Sequence, residues 1–243
     1  MTQPVAIRVD NVRKKLGRNQ ALDGLSLNFE AGRMHGVIGP DGAGKTTLMR
    51  SMLGLLRPDE GTIEFTRDGH RFGPDEIRNS VAYMPQQQSL YPDLSIEEHL
   101  EFFRKLYSIP KTEYATRRDE LLEITRLAPF VNRAAGKLSG GMYKKLGLMC
   151  ALLRDPQVML LDEPTNGVDP ISRREFWDLL YRLADRRILI IVSTAYMDEA
   201  ERCAFVHLID DGKTVAEGEP RTVLENAHVH SFDEFFMHNG SAS

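Results

Sequence analysis

The stretch GPDGAGKT, Gly39–Thr46, decides the fold of this chain. It fits the pattern G-x-x-x-x-G-K-S/T, with a short apolar run before it, Met34–Gly39, and helically spaced apolar residues after it, Lys45–Leu56. Glycines are needed in such a loop because backbone N–H groups close around phosphate oxygens only where side chains leave room. A glycine-rich loop that follows a buried strand and precedes a helix therefore predicts a phosphate-binding turn.

The residues of this loop have separable expected roles. Lys45 is expected to reach the β- and γ-phosphates of a nucleotide, and the Thr46 hydroxyl to ligate Mg²⁺. The cofactors that follow from this loop are ATP and Mg²⁺. The positions expected to contact the nucleotide here are Gly39, Pro40, Asp41, Gly42, Ala43, Gly44, Lys45, Thr46 and Thr47.

A pair of acidic residues ends a second apolar run, in VMLLDEP. Asp162 and Glu163 stand at the carboxyl end of a predicted buried strand, which is where ligand sites gather in open α/β sheets. Asp162 is expected to hold Mg²⁺ through water, and Glu163 to polarise the attacking water as a general base. Acidic strand ends are common, so this pair becomes specific only in combination with the phosphate loop.

A third element, LSGGM, opens a helix between the other two. A serine hydroxyl and the backbone donors of two glycines at a helix N-terminus suit an anion. Such a sequence in isolation is an ordinary N-cap loop. Its position between the phosphate loop and the acidic strand favours a functional interpretation. Its residues are Leu138, Ser139, Gly140, Gly141 and Met142.

Together the three motifs resemble those of the ATP-binding domain of ABC transporters. GPDGAGKT corresponds to the Walker A motif, LSGGM to the signature, usually LSGGQ, and VMLLDEP to Walker B. The resemblance covers nearly the whole chain, to about Met237. It implies a RecA-like P-loop core with an antiparallel β-subdomain and an inserted helical subdomain. It also implies that two such domains enclose two ATP molecules, each between one Walker A loop and the partner's signature.

The alternation of strand-like and helical segments supports the same α/β fold. Helical sequence interrupts strand-rich sequence on both sides, and one of its helices opens with a Ser95–Glu98 capping box. We expect a single domain over residues 1–243. Its expected parts are a core of about 1–86 and 155–226, a helical subdomain of about 87–154 and a C-terminal tail of about 227–243.

The resemblance implies roles for two further residues. Gln86, in YMPQ, matches the Q-loop glutamine, which contacts Mg²⁺ and the lytic water and senses the transmembrane partner. Asp169, in NGVD, matches the D-loop aspartate, which bridges to the opposite subunit. The expected catalytic residues are thus Glu163, Gln86 and Lys45, and the expected metal ligands are Thr46, Gln86 and Asp162.

Three positions depart from the family pattern. Leu16 stands where an aromatic residue usually stacks on adenine, and the loss of stacking is worth on the order of 1 kcal/mol. Ala195 stands where the switch histidine positions the γ-phosphate and water, and losing such a group costs about 10²–10³ in rate. Asp41 replaces a frequent asparagine. We expect weaker nucleotide binding and slow hydrolysis at the site built on this chain's own Walker A loop.

These departures suggest an asymmetric pair. In that hypothesis this chain supplies a weakened site, while its signature loop completes a competent site on a different ATP-binding domain. The stretches GPDGAGKTTLM and STAYMDEAERC are similar to the first half of tandem ATP-binding proteins of ABC-2 drug-type exporters. SFDEFF resembles the closing helix of such exporter cassettes. An ordinary subunit with an engineered alanine is the alternative.

The composition is that of a globular protein, with 42% apolar and 27% charged residues and a net charge of −4. This charge does not suggest a nucleic-acid surface, so no nucleic-acid partner is expected. The opening MTQPVAIRVD shows no basic-then-apolar leader, and no apolar run approaches the ~20 residues that span a bilayer. We expect a cytoplasmic protein, peripheral on the inner face of the cell membrane, with separate transmembrane permease subunits.

A surface after Gln86 is the candidate for docking the permease. For two of its members, Phe102 and Leu106, a place in the helical core is the preferred interpretation. The full set is Leu90, Tyr91, Leu94, Phe102, Phe103, Leu106 and Tyr107.

Two other functions compete with transport. A soluble ABC ATPase of DNA repair, translation or Fe–S assembly would carry long coiled-coil or zinc insertions, or two cassettes with a charged linker. Neither feature occurs in this sequence. A binding-only regulatory module is the other alternative, and it is motivated by Ala195.

Overall fold

Two β-sheets organise the structure, a computed structural model that describes residues 5–87, 90–186 and 188–239. The strands are β1 (Ala6–Leu16), β2 (Asn19–Phe29), β3 (Met34–Ile38), β4 (Glu60–Arg67), β5 (His70–Arg71), β6 (Val81–Met84), β7 (Val158–Asp162), β8 (Leu189–Thr194), β9 (Phe205–Asp210) and β10 (Lys213–Gly218). The helices are α1 (Lys45–Met52), α2 (Pro74–Ser80), α3 (Ile96–Leu106), α4 (Lys111–Thr125), α5 (Gly140–Leu152), α6 (Pro170–Ala184), α7 (Pro220–Ala227) and α8 (Phe232–Asn239).

The larger sheet has six strands in the order β10-β9-β3-β8-β7-β6. All neighbours are parallel except β10, which runs antiparallel to β9. Every residue of β3, β7 and β8 is buried, which is why these strands read as continuous apolar runs in the sequence. Parallel pairing brings the carboxyl ends of β3, β6, β7 and β8 to one edge, where the predicted site residues lie.

Successive residues of the central strands point to opposite cores. Val37 and Leu160 pack with α1 and the small sheet, whereas Ile38 and Leu161 pack with α5 and α6. The sheet is therefore the middle layer of an α/β fold, as the sequence predicted.

The smaller sheet has the order β2-β1-β4-β5 and is antiparallel throughout. Its inner face is apolar, and in β1 Ile7 and Val9 are buried while Arg8 between them is exposed. This inner face covers α1, the helix that leaves the phosphate loop. The sheet is the antiparallel β-subdomain expected from the resemblance.

The helices α3, α4 and α5 lie between β6 and β7 along the chain and pack on one another. The inner face of α3 is formed by Ile96 and Leu100, which are fully buried. The preference for Phe102 and Leu106 as core residues was wrong, since their exposed fractions are 37% and 60%. These two side chains are one helical turn apart and lie on the outer face of α3.

Several local expectations differ from the structure. The first helix ends at Met52 and not at Leu56, because Gly54 has a left-handed φ of 71°. No helix was predicted for α2, because none of its residues is buried and it therefore has no apolar periodicity. The segment Met197–Arg202 forms a 3-10 helix.

The closing segment SFDEFF forms α8, with Phe232 and Phe235 buried. Residues 240–243 of the predicted tail lie outside the described residues. No helix within the described ranges is long and apolar enough to cross a membrane.

Candidate nucleotide-binding site

The phosphate loop joins β3 to α1. Each of its three glycines is required for a different steric or conformational reason. A Cβ on Gly39 would lie 2.1 Å from the backbone oxygen of Ile209. A Cβ on Gly44, which has a φ of 103°, would lie 2.4 Å from the backbone oxygen of Ala21. Gly42 has a φ of 86° and faces open space. The loop is thus packed against the body of the protein at both ends and open in the middle, as a cradle for phosphate requires.

Lys45 is the cation of this loop, and its side chain is only 4% exposed. Its Nζ donates to the backbone oxygens of Gly39 at 2.7 Å and Pro40 at 2.9 Å. The same Nζ lies 3.4 Å from Oε1 of Glu163. A buried ammonium needs such acceptors, and here they hold it inside the phosphate cradle.

Asp162, at the end of β7, accepts hydrogen bonds from three hydroxyl groups. The Oγ1 of Thr46 donates to its Oδ1 at 3.1 Å, and the Oγ of Ser193 donates to the same oxygen at 2.6 Å. The hydroxyl of Tyr83 donates to Oδ2 at 3.2 Å. Burial and then the Asp162 carboxylate raise the pKa of Tyr83 to about 12.

The paired oxygens of Thr46 and Asp162 fit a magnesium ion, which takes oxygen ligands and commonly shares them with substrate phosphates. Within the described ranges, no group of three or more His, Cys, Asp or Glu residues could hold a metal by itself.

Glu163 lies at the centre of a short hydrogen-bond network. Its Oε2 accepts from Nε2 of Gln86 at 2.7 Å and from Nδ2 of Asn166 at 3.1 Å. Its backbone is left-handed, with a φ of 45°, and its N–H donates to the backbone oxygen of Ser193 at 3.1 Å. This turn directs the carboxylate away from the strand and towards the phosphate loop.

The structure brings most of the predicted residues into one cleft of about 690 Å³. Leu16 forms part of its wall and is 44% exposed, so an apolar side chain lines the cleft at the position expected for a base-stacking residue. The other lining residues are Asn19, Ala21, Asp41, Gly42, Gly44, Lys45, Thr46, Thr47, Gln86 and Glu163.

The signature residues lie elsewhere, at the start of α5. Ser139 is the N-cap of this helix and accepts from the backbone N–H of Met142 at 3.3 Å. A Cβ on Gly141 would lie 2.4 Å from Cβ of Ser172, so a glycine is needed where α5 meets α6. Neither Ser139 nor Gly141 lines the described cleft.

Asp169 is the N-cap of α6 in this structure. Its Oδ1 accepts from the backbone N–H groups of Ile171 at 3.1 Å and Ser172 at 3.0 Å. Hydrogen bonds from Ser172 and Ile171 hold the pKa of this carboxyl below its ordinary value. Ala195 lies at the bend that follows β8, and its methyl group offers no hydrogen bond.

Several residues of the site were missed in the sequence. Ser193 had a readable signal, because it is a polar residue at the carboxyl end of an apolar strand. The contacts of Tyr83 with Asp162 and of Asn166 with Glu163 had none, because the motifs that contain these residues, YMPQ and NGVD, do not reveal side-chain partners.

An open cleft with a glycine cradle and a buried lysine suits a nucleoside triphosphate, so fold and site together define a P-loop nucleotide-binding domain. Comparison with known families narrows that class. Residues 22–166 match the ABC transporter model, and the chain belongs to the ABC transporter family as an ATP-binding domain.

Curated relatives include export proteins. The probable multidrug ABC transporter ATP-binding protein YbhF of Escherichia coli strain K12 is 45% identical over 89% of this chain. The chain spans only 38% of that relative's length. The Nod factor export ATP-binding protein I of Burkholderia lata is 38% identical over 92% of this chain and 74% of the relative.

Solved structures share the fold. The ATP-binding subunit of an ABC transporter superposes with a TM-score of 0.82 at 28% identity, covering 96% of this chain and 98% of the other. A dimeric cassette in a post-hydrolysis state, bound to ADP and Pi, has a TM-score of 0.73 at 25% identity and covers 88% and 98%. The predicted fold class is therefore confirmed.

Proposed function

We propose that this chain is the ATP-driven motor subunit, or one half of the motor, of an ABC exporter. ATP binds in the cleft, and Glu163 acts as the general base towards the attacking water. The observation that carries this proposal is the convergence of Lys45, Asp162 and Glu163 beside the glycine cradle. The export-related names of the relatives support the direction of transport.

Magnesium is held, in this proposal, by Thr46, by Gln86 and, through water, by Asp162. A bound ion would supply positive charge to the phosphate oxygens. Thr46 and Asp162 already share a hydrogen bond of 3.1 Å, so their oxygens need little movement to face one ion.

The contact between Lys45 and Glu163 suggests how binding prepares the base. The Glu163 carboxylate lies 3.4 Å from the Lys45 ammonium. A triphosphate carries more negative charge and attracts Lys45 towards the β- and γ-phosphates. Glu163 then keeps its hydrogen bonds from Gln86 and Asn166 and is free to accept a proton from water.

The signature loop serves a second ATP-binding domain. Ser139 and Gly140 are exposed, and they stand outside the cleft of their own chain. The dimeric cassette structure supports a pairing of two such domains. We favour a different domain, or the other half of a tandem protein, because Ala195 weakens this chain's own site.

Replacing Ala195 by histidine tests the weakened site. We expect slow ATP hydrolysis by the wild-type chain and a rate at least tenfold higher for Ala195→His, because the added imidazole supplies a polar group at the developing charge. ATP affinity should change little. Robust wild-type turnover that Ala195→His leaves unchanged would sink the weakened-site hypothesis.

The exposed apolar patch Tyr91, Phe102 and Leu106 is the proposed docking surface for the permease. Their exposed fractions are 53%, 37% and 60%, and a groove of about 650 Å³ lies beside them between β6, α3 and α5. An exposed apolar patch next to a groove favours an interaction partner. Docking here would hold the chain on the cytoplasmic face of the membrane.

A charge in this patch should release the chain from its permease. We expect Phe102→Glu to abolish co-purification with membrane proteins. Leu55→Glu is the matched control, since Leu55 is 66% exposed, follows α1 and does not line the groove. Co-purification with ribosomes in place of membrane proteins would favour a soluble ABC ATPase.

A further inference from the structure

The segment after β8 is linked to Glu163 by side-chain hydrogen bonds. The hydroxyl of Tyr196 donates to Oδ1 of Asn166 at 3.3 Å, and Nδ2 of Asn166 donates to Oε2 of Glu163 at 3.1 Å. Each donor faces an acceptor, so one chain of hydrogen bonds runs from the tyrosine to the carboxylate. Hydrogen bonds in such chains polarise one another.

The tyrosine ring is held in place from its other side. The guanidinium carbon of Arg173 lies 4.1 Å from the ring centroid, within the range of a cation–π contact. The backbone N–H of Tyr196 donates to Oγ1 of Thr194 at 3.0 Å. These two contacts fix the ring and its backbone, so the hydroxyl is directed at Asn166.

The buried carboxylate of Glu199 binds residues next to both partners of the hydrogen bond between Tyr196 and Asn166. Glu199 is fully buried, and it accepts from Thr194 Oγ1 at 2.7 Å and from Thr165 Oγ1 at 2.6 Å. Thr165 directly precedes Asn166, and Thr194 stands two residues before Tyr196. Because a fully satisfied buried network rigidifies its neighbours, the positions of the amide and of the phenol are coupled.

Ala195, the residue before Tyr196, cannot form such a hydrogen bond with its side chain. Ala195 follows β8 directly and has no polar side-chain atom. We propose that Tyr196 is a positioning residue for ATP hydrolysis, which acts through Asn166 to hold the Glu163 carboxylate at the cleft. This inference rests on the proposed function, in which Glu163 is the general base.

Tyr196→Phe is the direct test, because it removes the hydroxyl and keeps the ring against Arg173. Single-turnover hydrolysis, with the full chain in excess over Mg-ATP, should slow about tenfold, as expected when a catalytic group loses its alignment. The dissociation constant for ATP should stay within about twofold, since the hydroxyl contacts Asn166 and lies outside the cleft lining.

Two further backgrounds separate positioning from a general structural effect. Adding Tyr196→Phe to Asn166→Ala should cause no further loss, because the hydroxyl acts only through that amide. In the Ala195→His background, Tyr196→Phe should cost about twofold at most, because a second polar group is then present. Tyr181→Phe is the matched control, since that hydroxyl donates to the backbone oxygen of Arg202 at 3.2 Å, away from Glu163.

The outcomes distinguish this inference from the proposed function. Wild-type hydrolysis that is lost in Glu163→Gln and unchanged in Tyr196→Phe overturns the role of Tyr196 and leaves the proposed function standing. Equal losses in Tyr196→Phe and Tyr181→Phe, or an additive loss with Asn166→Ala, also overturn it. A rate that is the same in wild type and Glu163→Gln rejects the proposed function, and the role of Tyr196 with it.

Discussion

The phosphate loop and the signature loop are both glycine-containing turns that open a helix, yet their surroundings differ. At the phosphate loop, charged side chains are almost fully buried, among them Lys45 and Asp162. At the signature loop, Ser139 and Gly140 are exposed, and Gly141 alone packs against α6. A glycine-containing turn that opens a helix is thus surrounded by residues of its own chain at the phosphate loop and is exposed at the signature loop.

This difference teaches that a helix N-terminus with glycines is only part of a site. At the phosphate loop, β7 and β8 add an acidic edge, and the loop after β6 adds Gln86. The signature loop does not line the cleft at the phosphate loop within the described part of the chain. An open signature loop is what we expect if the remaining half of the site comes from another domain.

The largest effect should come from the enclosed region. Glu163→Gln should lower ATP turnover about 10³-fold, because the amide cannot accept the proton from water. ATP affinity should be kept or slightly increased, since a negative charge near the phosphates is removed. Steady-state hydrolysis and equilibrium binding measure the two quantities, and unchanged turnover would contradict the role of Glu163.

The open loop should give the next largest effect. Ser139→Ala should lower turnover about 10²-fold by removing a donor to the partner's nucleotide, while ATP binding to the altered chain itself persists. Ser139→Asp is a useful companion, because aspartate still caps the helix but repels the phosphates.

Mixing variants sharpens this comparison further. A dimer of one Glu163→Gln chain and one Ser139→Ala chain contains one site in which both residues are intact. If the chain pairs with a second copy of itself, half of the dimers in an equimolar mixture are mixed and each has one intact site of two. The mixture should therefore recover about a quarter of the wild-type turnover, well above either variant by itself. Failure to recover activity would indicate that the two loops do not complete one another between chains.

A buried histidine pair between β3 and β9 should make the fold sensitive to acid. His35 of β3 and His207 of β9 are fully buried, with their ring nitrogens 3.2 Å apart. Burial, and then the neighbouring His207, lower the pKa of His35 to about 4, and burial lowers that of His207 to about 4. The outer contacts of this pair are the backbone oxygen of Glu30 and the carboxylate of Glu217.

The sign of the resulting pH dependence follows from these shifts. In the unfolded chain the histidines take up protons near pH 6.5, whereas the native pair does so only near pH 4. Stability is therefore lost progressively as pH falls from about 6.5 to about 4. Between pH 6.5 and 5 the loss should be about 2 kcal/mol per histidine.

Urea unfolding at pH 7.5 and 5 measures this loss. The double variant His35→Gln, His207→Gln should lose much of the pH dependence, whereas His230→Gln, at an exposed position, should retain it. A wild-type stability that is equal at the two pH values would contradict the prediction.

The smallest expected effect concerns the wall of the cleft. Leu16→Tyr should tighten ATP binding about fivefold, because an aromatic ring gains about 1 kcal/mol by stacking on the base. Calorimetric titration with ATP measures the change. Leu55→Tyr, at an exposed position away from the cleft, should leave ATP affinity unaltered.

The sequence by itself determined the features that depend on local demands. The glycines of the phosphate loop, the caps of α3 and α5 and the continuous apolar strands follow from backbone sterics, orphan N–H groups and burial on both sheet faces. These requirements act within a few residues, so they can be read from letters and spacing. The family resemblance then implied roles for Gln86, Asp169 and Ala195.

Only the tertiary structure decided which distant segments meet. Sheet register places His35 beside His207 and turns Phe102 outward with α3, and the turn after β7 places Asn166 between Glu163 and Tyr196. Such contacts join residues whose separation along the chain carries no periodic signal. Their geometry depends on how strands and helices pack, and a single sequence does not encode that packing in any local pattern.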